Sequence, residues 1–86
     1  MRTQLELWQV VKDNFDEYWG IDGTYGLCLL IRDLEHYKLI TNSEYNYLLS
    51  ELHSYDKIGC GYFLGKKGNP KPRKEFIEKM IKKHSQ

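Results

Sequence analysis

Five basic residues fall within nine positions: Lys66, Lys67, Lys71, Arg73 and Lys74. Tyr62 and Phe63 stand just before them, and Gly59, Gly61, Gly65 and Gly68 punctuate the run. Cations beside flat rings suit one kind of chemistry, the capture of a negatively charged ligand that carries an aromatic group. Lysines attract phosphate as point charges. The arginine fork grips phosphate or carboxylate through two bonds, which makes Arg73 the strongest single candidate. Aromatic faces stack on bases for about 1–3 kcal/mol each in single-strand binders. The competing reading is a solvated basic loop in which Phe63 and Leu64 anchor the segment to the core. Arg73 has a structural alternative too, an ion pair with an acidic residue of the first helix.

The known phosphate loops are absent. A Walker-type loop needs glycine six positions before its lysine and a hydroxyl residue after it. Before Gly65-Lys66 that glycine position holds Cys60, and Lys67 replaces the hydroxyl residue. The dinucleotide fingerprint fails as well, because Leu64 stands where the third glycine belongs and no strand–helix–strand unit surrounds it. What remains is a proline-opened helix start. Pro72 fits a first helical turn, where its missing N–H costs nothing, and free amides at such a start attract anions.

Catalysis and metal binding find little support. His36, His53 and His84 are far apart in sequence, with no paired His or Cys ligand spacing. Asp13, Asp16 and Glu17 read as a solvated acidic face of the first helix. The expectation is a non-enzyme with no metal and no cofactor. Cys28 and Cys60 are the two cysteines, without tight spacing, and in a reducing cytosol free thiols are expected.

Four segments must position these groups. Thr3 and Glu6 form a capping box, and Leu5, Trp8, Val11 (or Lys12), Phe15, Tyr18 and Trp19 then recur at helical steps. That helix should end near Gly20. Asp22-Gly23 is a turn pair. Leu27, Leu30, Ile31, Leu34 and Leu39 or Tyr37 form the apolar face of a second helix, with Cys28 as a small core residue. Thr41 and Glu44 make a second capping box, with Ile40 as a hydrophobic staple toward Tyr45. Tyr45, Leu48, Leu49 and Leu52 line the third helix, joined to the second by a tight turn. The last helix carries Phe76, Ile77, Met80 and Ile81, with Lys79, Lys82 and Lys83 placed late, where the helix dipole favours them. The fold class is therefore mainly α: one domain over residues 1–86, a small bundle of four helices with a glycine-rich irregular loop or short hairpin before the last.

The formal charge of +1 conceals a split. Residues 1–56 hold four Lys/Arg against ten Asp/Glu, and residues 57–86 hold nine against two. Such asymmetry fits a basic binding region, an acidic region facing it, contact between copies, or neutralisation within one fold. Duplex DNA is disfavoured, because the third helix, in the place of a recognition helix, carries Glu44 and Glu51 and no Lys or Arg. No run approaches the roughly 18 apolar residues of a membrane span, and the start lacks a signal-peptide pattern. A cytoplasmic protein is expected.

Four short patterns resemble a loose group of small, uncharacterised proteins of tailed bacteriophages. They are Gly26-Leu27-Cys28 opening a helix, Ile40-Thr41 with Glu44 opening the next, the pair Tyr62-Phe63, and Pro72-Arg73 with Phe76-Ile77. The resemblance implies a phage setting, in which small proteins disable host defence, some as sponges for nucleotide immune signals and others by binding a host protein. The leading expectation is a sponge for a small phosphorylated ligand such as a cyclic nucleotide. Lys66, Lys67, Lys71 and Arg73 would hold phosphate, and Tyr62 and Phe63 would stack on a base. Trp19 or Tyr18 would complete the pocket from a second copy, since a small domain gains a concave site most easily between subunits. The alternative is an inhibitor that binds a host protein.

Overall fold

The computed structural model describes residues 2–22, 27–55 and 71–86, without side chains for 18–22, 55 and 71–73. Four helices follow in order: α1 (Gln4–Asp22), α2 (Leu27–His36), α3 (Asn42–Tyr55) and α4 (Lys71–His84). The mainly helical expectation holds. The glycine-rich segment before α4 lies outside the described residues.

Both capping boxes form. Thr3 N–H donates to Glu6 Oε1 at 2.7 Å, and Glu6 N–H donates to Thr3 Oγ1 at 3.1 Å. At the start of α3, Thr41 N–H donates to Glu44 Oε1 at 2.8 Å, and Glu44 N–H returns to Thr41 Oγ1 at 3.1 Å. Each box satisfies two amides that a helix start leaves without intrahelical acceptors. The α1 helix continues two residues past Gly20, a small departure that a single glycine permits at about 1 kcal/mol.

The turn between α2 and α3 departs from expectation in an informative way. The helix stops at His36, and Lys38 takes a left-handed conformation with φ of 62°. Lys38 N–H donates to Glu35 O at 2.9 Å, and Leu39 N–H donates to Leu34 O at 2.8 Å. This is the paired hydrogen-bond pattern of a Schellman cap, whose left-handed position glycine usually fills. The chain reverses there, so Tyr37 and Leu39 leave the α2 stripe and are 68% and 44% exposed. The expected place of either on the α2 face is thereby corrected.

The core is one cluster. Leu7, Trp8, Val11 and Phe15 of α1 meet Leu27, Leu30, Ile31 and Leu34 of α2. Leu48 and Leu52 of α3, Phe76, Ile77 and Met80 of α4, and Ile40 from the turn complete it. Tyr45, Leu49, Ile81 and Cys28 pack against it, partly buried. Trp8 and Phe76 meet edge to face, with centroids 5.6 Å apart, a favoured aromatic geometry. Leu5 is only partly buried, and Leu7 takes the core position instead. Cys28 is in a disulfide, contrary to the expected free thiol. Sequence spacing says nothing of spatial proximity, which decides whether a disulfide closes. The other cysteine, Cys60, lies outside the described residues.

Specific contacts fix the directions of the helices. Asp16 reaches Lys74 while Trp8 reaches Phe76, so α1 and α4 run antiparallel. Arg2 reaches Glu44, which brings the start of α1 to the start of α3. The end of α1 and the start of α4 therefore share one end of the bundle. The starts of α1 and α3 share the other end with the α2–α3 turn.

Candidate functional site

The basic segment enters the described structure at Lys71, where α4 begins. The expected helix start is therefore in place, inside the run of cations. No acidic residue lies in the first turn of α4. The backbones of Lys71 and Arg73 belong to that turn. Tyr62, Phe63, Lys66 and Lys67 lie outside the described residues.

Lys74 is the first residue of the run with a described side chain. Its Nζ lies 3.8 Å from Asp16 Oδ1, with both side chains about half exposed (54% and 48%). An exposed pair of that length contributes at most about 1 kcal/mol and is screened by salt. Its value is positional. The backbones of Tyr18 and Trp19 lie within about one helical turn of Asp16, and those of Lys71 and Arg73 within about one turn of Lys74. All four positions thus belong to the same end of two neighbouring helices in one chain. Asp16 of the first helix pairs with Lys74 of this run, and the Arg73 side chain lies outside the described residues. Asp13, Asp16 and Glu17 are exposed, as a solvated acidic face should be.

A second polar constellation was not legible in the sequence. The Tyr47 hydroxyl on α3 donates to Glu51 Oε1 at 3.2 Å, and the hydroxyl oxygen itself lies 3.2 Å from His84 Nε2 at the end of α4. A phenol has one proton. With that proton directed at Glu51, His84 Nε2 donates the hydrogen bond it shares with the Tyr47 oxygen. Lys83 Nζ approaches Glu51 Oε2 at 3.8 Å. Burial pushes the Tyr47 phenol above its ordinary value of 10.0, the nearby Trp8 N–H works against this, and the Glu51 carboxylate adds to the rise. The Trp8 indole N–H is buried with no hydrogen-bond partner of ordinary geometry among the described residues.

A third constellation surrounds Glu44, which is 3% exposed. Arg2 Nη1 donates to Glu44 Oε1 at 2.9 Å, and Arg2 N–H approaches Oε2 at 3.4 Å. The hydrogen bond from the Thr41 amide holds the Glu44 carboxyl below its ordinary value; burial opposes this, and the Arg2 amide and charge assist it. Glu6 is lowered in the same way, chiefly by the Thr3 amide.

Among the described residues, no three of His, Cys, Asp and Glu gather as a metal site would require. Among the same residues, no helix is long and apolar enough to cross a membrane. No family model matches the sequence, and no curated protein or solved structure matches it.

Proposed function

We propose that this is a non-catalytic binding protein that sequesters a small phosphorylated ligand, a nucleotide signal in the cytoplasm of a phage-infected cell. One observation carries this reading: α4 opens with Lys71, Arg73 and Lys74 and no acid in its first turn. Cations at that end oppose the helix dipole, where negative charge is worth about 0.3–1 kcal/mol and positive charge is unfavourable by a similar amount. Bound phosphate would reverse the sign of that interaction and use the free amides as well. Arg73 supplies the fork, Lys66, Lys67 and Lys71 supply charge, and Tyr62 and Phe63 supply the stacking faces. In the same chain, Tyr18 and Trp19 would join from the end of α1. A homo-oligomer would instead bring them from a second copy.

A nucleotide panel tests the proposal by thermal shift, since a ligand that binds the folded chain raises its midpoint by mass action. A sponge is stabilised by one or a few nucleotides and returns them intact after heating. Arg73→Ala should weaken binding by on the order of tenfold or more, the loss of a charge-assisted bidentate contact. Stabilisation by no phosphorylated compound would refute the function, and unchanged binding by Arg73→Ala would refute the site.

The second reading, an inhibitor of a host protein, rests on the exposed apolar residues of α2 and its turn, Leu29, Tyr37 and Leu39. It predicts indifference to nucleotides and co-purification with a protein, lost when Tyr37 is replaced by serine.

A further inference from the structure

Cys28 stands in the first turn of α2 and is in a disulfide. The chain has one other cysteine, Cys60. Within one chain the pairing therefore has a single solution. Helices α2 and α3 are joined by a tight turn and share one core, so they run in opposite directions. Cys28 thus sits at the end of α2 far from that turn, and α3 stops toward the same end with Tyr55. Cys60 follows Tyr55 by five residues. Five residues reach at most about 18 Å, whereas packed helices lie about 8–10 Å apart. The chain is long enough to bring the two sulfurs together.

Three features set the character of such a bond. Cysteines that perform disulfide exchange as catalysts pair across two residues in a C-x-x-C motif, and these stand 32 positions apart. In a reducing cytosol, a disulfide outside catalysis is redox-sensing rather than permanent. Cys28 is only partly buried against the core, so its bond is not sealed from a small reductant. The start of α2 also carries no acidic residue in its first turn. The positive end of the helix dipole therefore favours negative charge on a departing Cys28 sulfur, and a stabilised leaving thiolate speeds exchange.

We propose that Cys28 and Cys60 form a redox-responsive staple, which joins the start of α2 to the glycine-rich segment and is opened by a dithiol reductant. A thiolate of the reductant attacks the Cys60 sulfur, the S–S bond breaks, and Cys28 leaves as a thiolate that takes a proton. The second thiol of the reductant then displaces Cys60 from the mixed disulfide. The chain gains two thiols, and the reductant becomes a cyclic disulfide. Opening the staple restores freedom to the unfolded chain, which for a loop of this length shifts the unfolding equilibrium by on the order of a hundredfold. The cytosolic setting rests on the proposed function, whereas the pairing and its reduction do not.

The test uses the full chain after incubation with oxidised glutathione. Denatured with iodoacetamide, it should take up no label, and proteolysis should release one peptide pair joined through Cys28 and Cys60. Dithiothreitol added to the folded chain should expose both cysteines to the label. It should also lower the melting midpoint by about ten degrees or more. The midpoint of Cys28→Ser/Cys60→Ser should not respond to dithiothreitol. If that variant does not fold, recovery of the original midpoint on reoxidation replaces it. A glutathione buffer of cytosolic poise should reduce the bond. Two labels on the oxidised chain, or a covalent dimer, overturns the pairing. A midpoint indifferent to dithiothreitol overturns the staple, and a bond that the cytosolic buffer leaves intact overturns the redox response.

Discussion

Replacing Lys38 by glycine should stabilise the protein. Lys38 sits at φ 62° as the left-handed residue of the cap that ends α2. For a residue with a Cβ, that conformation costs about 1–2 kcal/mol, from the approach of Cβ to the following carbonyl. Glycine avoids the clash but loses about 0.5–1 kcal/mol through its greater freedom in the unfolded chain. The net gain is about 0.5–1 kcal/mol, which in a chain of this size raises the midpoint by about 2–8 °C. The two cap hydrogen bonds, Lys38 N–H to Glu35 O and Leu39 N–H to Leu34 O, are main-chain bonds and survive the change. Lys38→Ala is the control, because it removes the charged chain and keeps the Cβ. Urea melts at constant slope give the difference directly. A Lys38→Gly chain no more stable than Lys38→Ala would refute the backbone argument. A loss in both would instead assign stabilisation to the lysine charge near the end of α2.

Acid should unfold the chain partly through Glu44. Its folded carboxyl titrates below the ordinary 4.5, so its contribution is complete above that value and lost as pH falls through the folded one. Urea melts between pH 6 and pH 3 should show this decline, with a shallower slope in Glu44→Gln. Alkali acts through Tyr47, whose folded phenol titrates above 10.0. Stability drawn from Tyr47 is complete below that value and lost as pH rises beyond it, and Tyr47→Phe should flatten this limb of the profile. Leu48→Ala, at a fully buried position, should cost about 2–5 kcal/mol. That is a large part of the roughly 5–10 kcal/mol expected of so small a domain, so calorimetry should find a much lowered or absent transition.

What the sequence makes legible here is local. Thr3 with Glu6 and Thr41 with Glu44 announce two helix starts because a capping box is written within four residues. The stripes Trp8–Val11–Phe15 and Leu27–Leu30–Ile31–Leu34 announce buried faces because their period is helical. The end of α2 escapes such reading, since glycine usually marks a left-handed cap and lysine stands there. The Arg2–Glu44 clasp and the Tyr47–His84 bond join residues 42 and 37 positions apart, and local patterning carries no signal for contacts of that range. At the candidate anion site, the sequence places the cations and the helix start. The positions of Tyr62, Phe63, Lys66 and Lys67 lie outside the described residues.

The pairing of α1 with α4 also orders events in time. A ribosome makes α1 before α4, yet the ring that meets Trp8 edge-on belongs to Phe76 in α4. Until that late segment emerges, Trp8 and its apolar neighbours lack their lid, and a nascent chain must keep them from sticking elsewhere. Folding of this bundle is thus an act of closure, completed only when the last helix settles against the first.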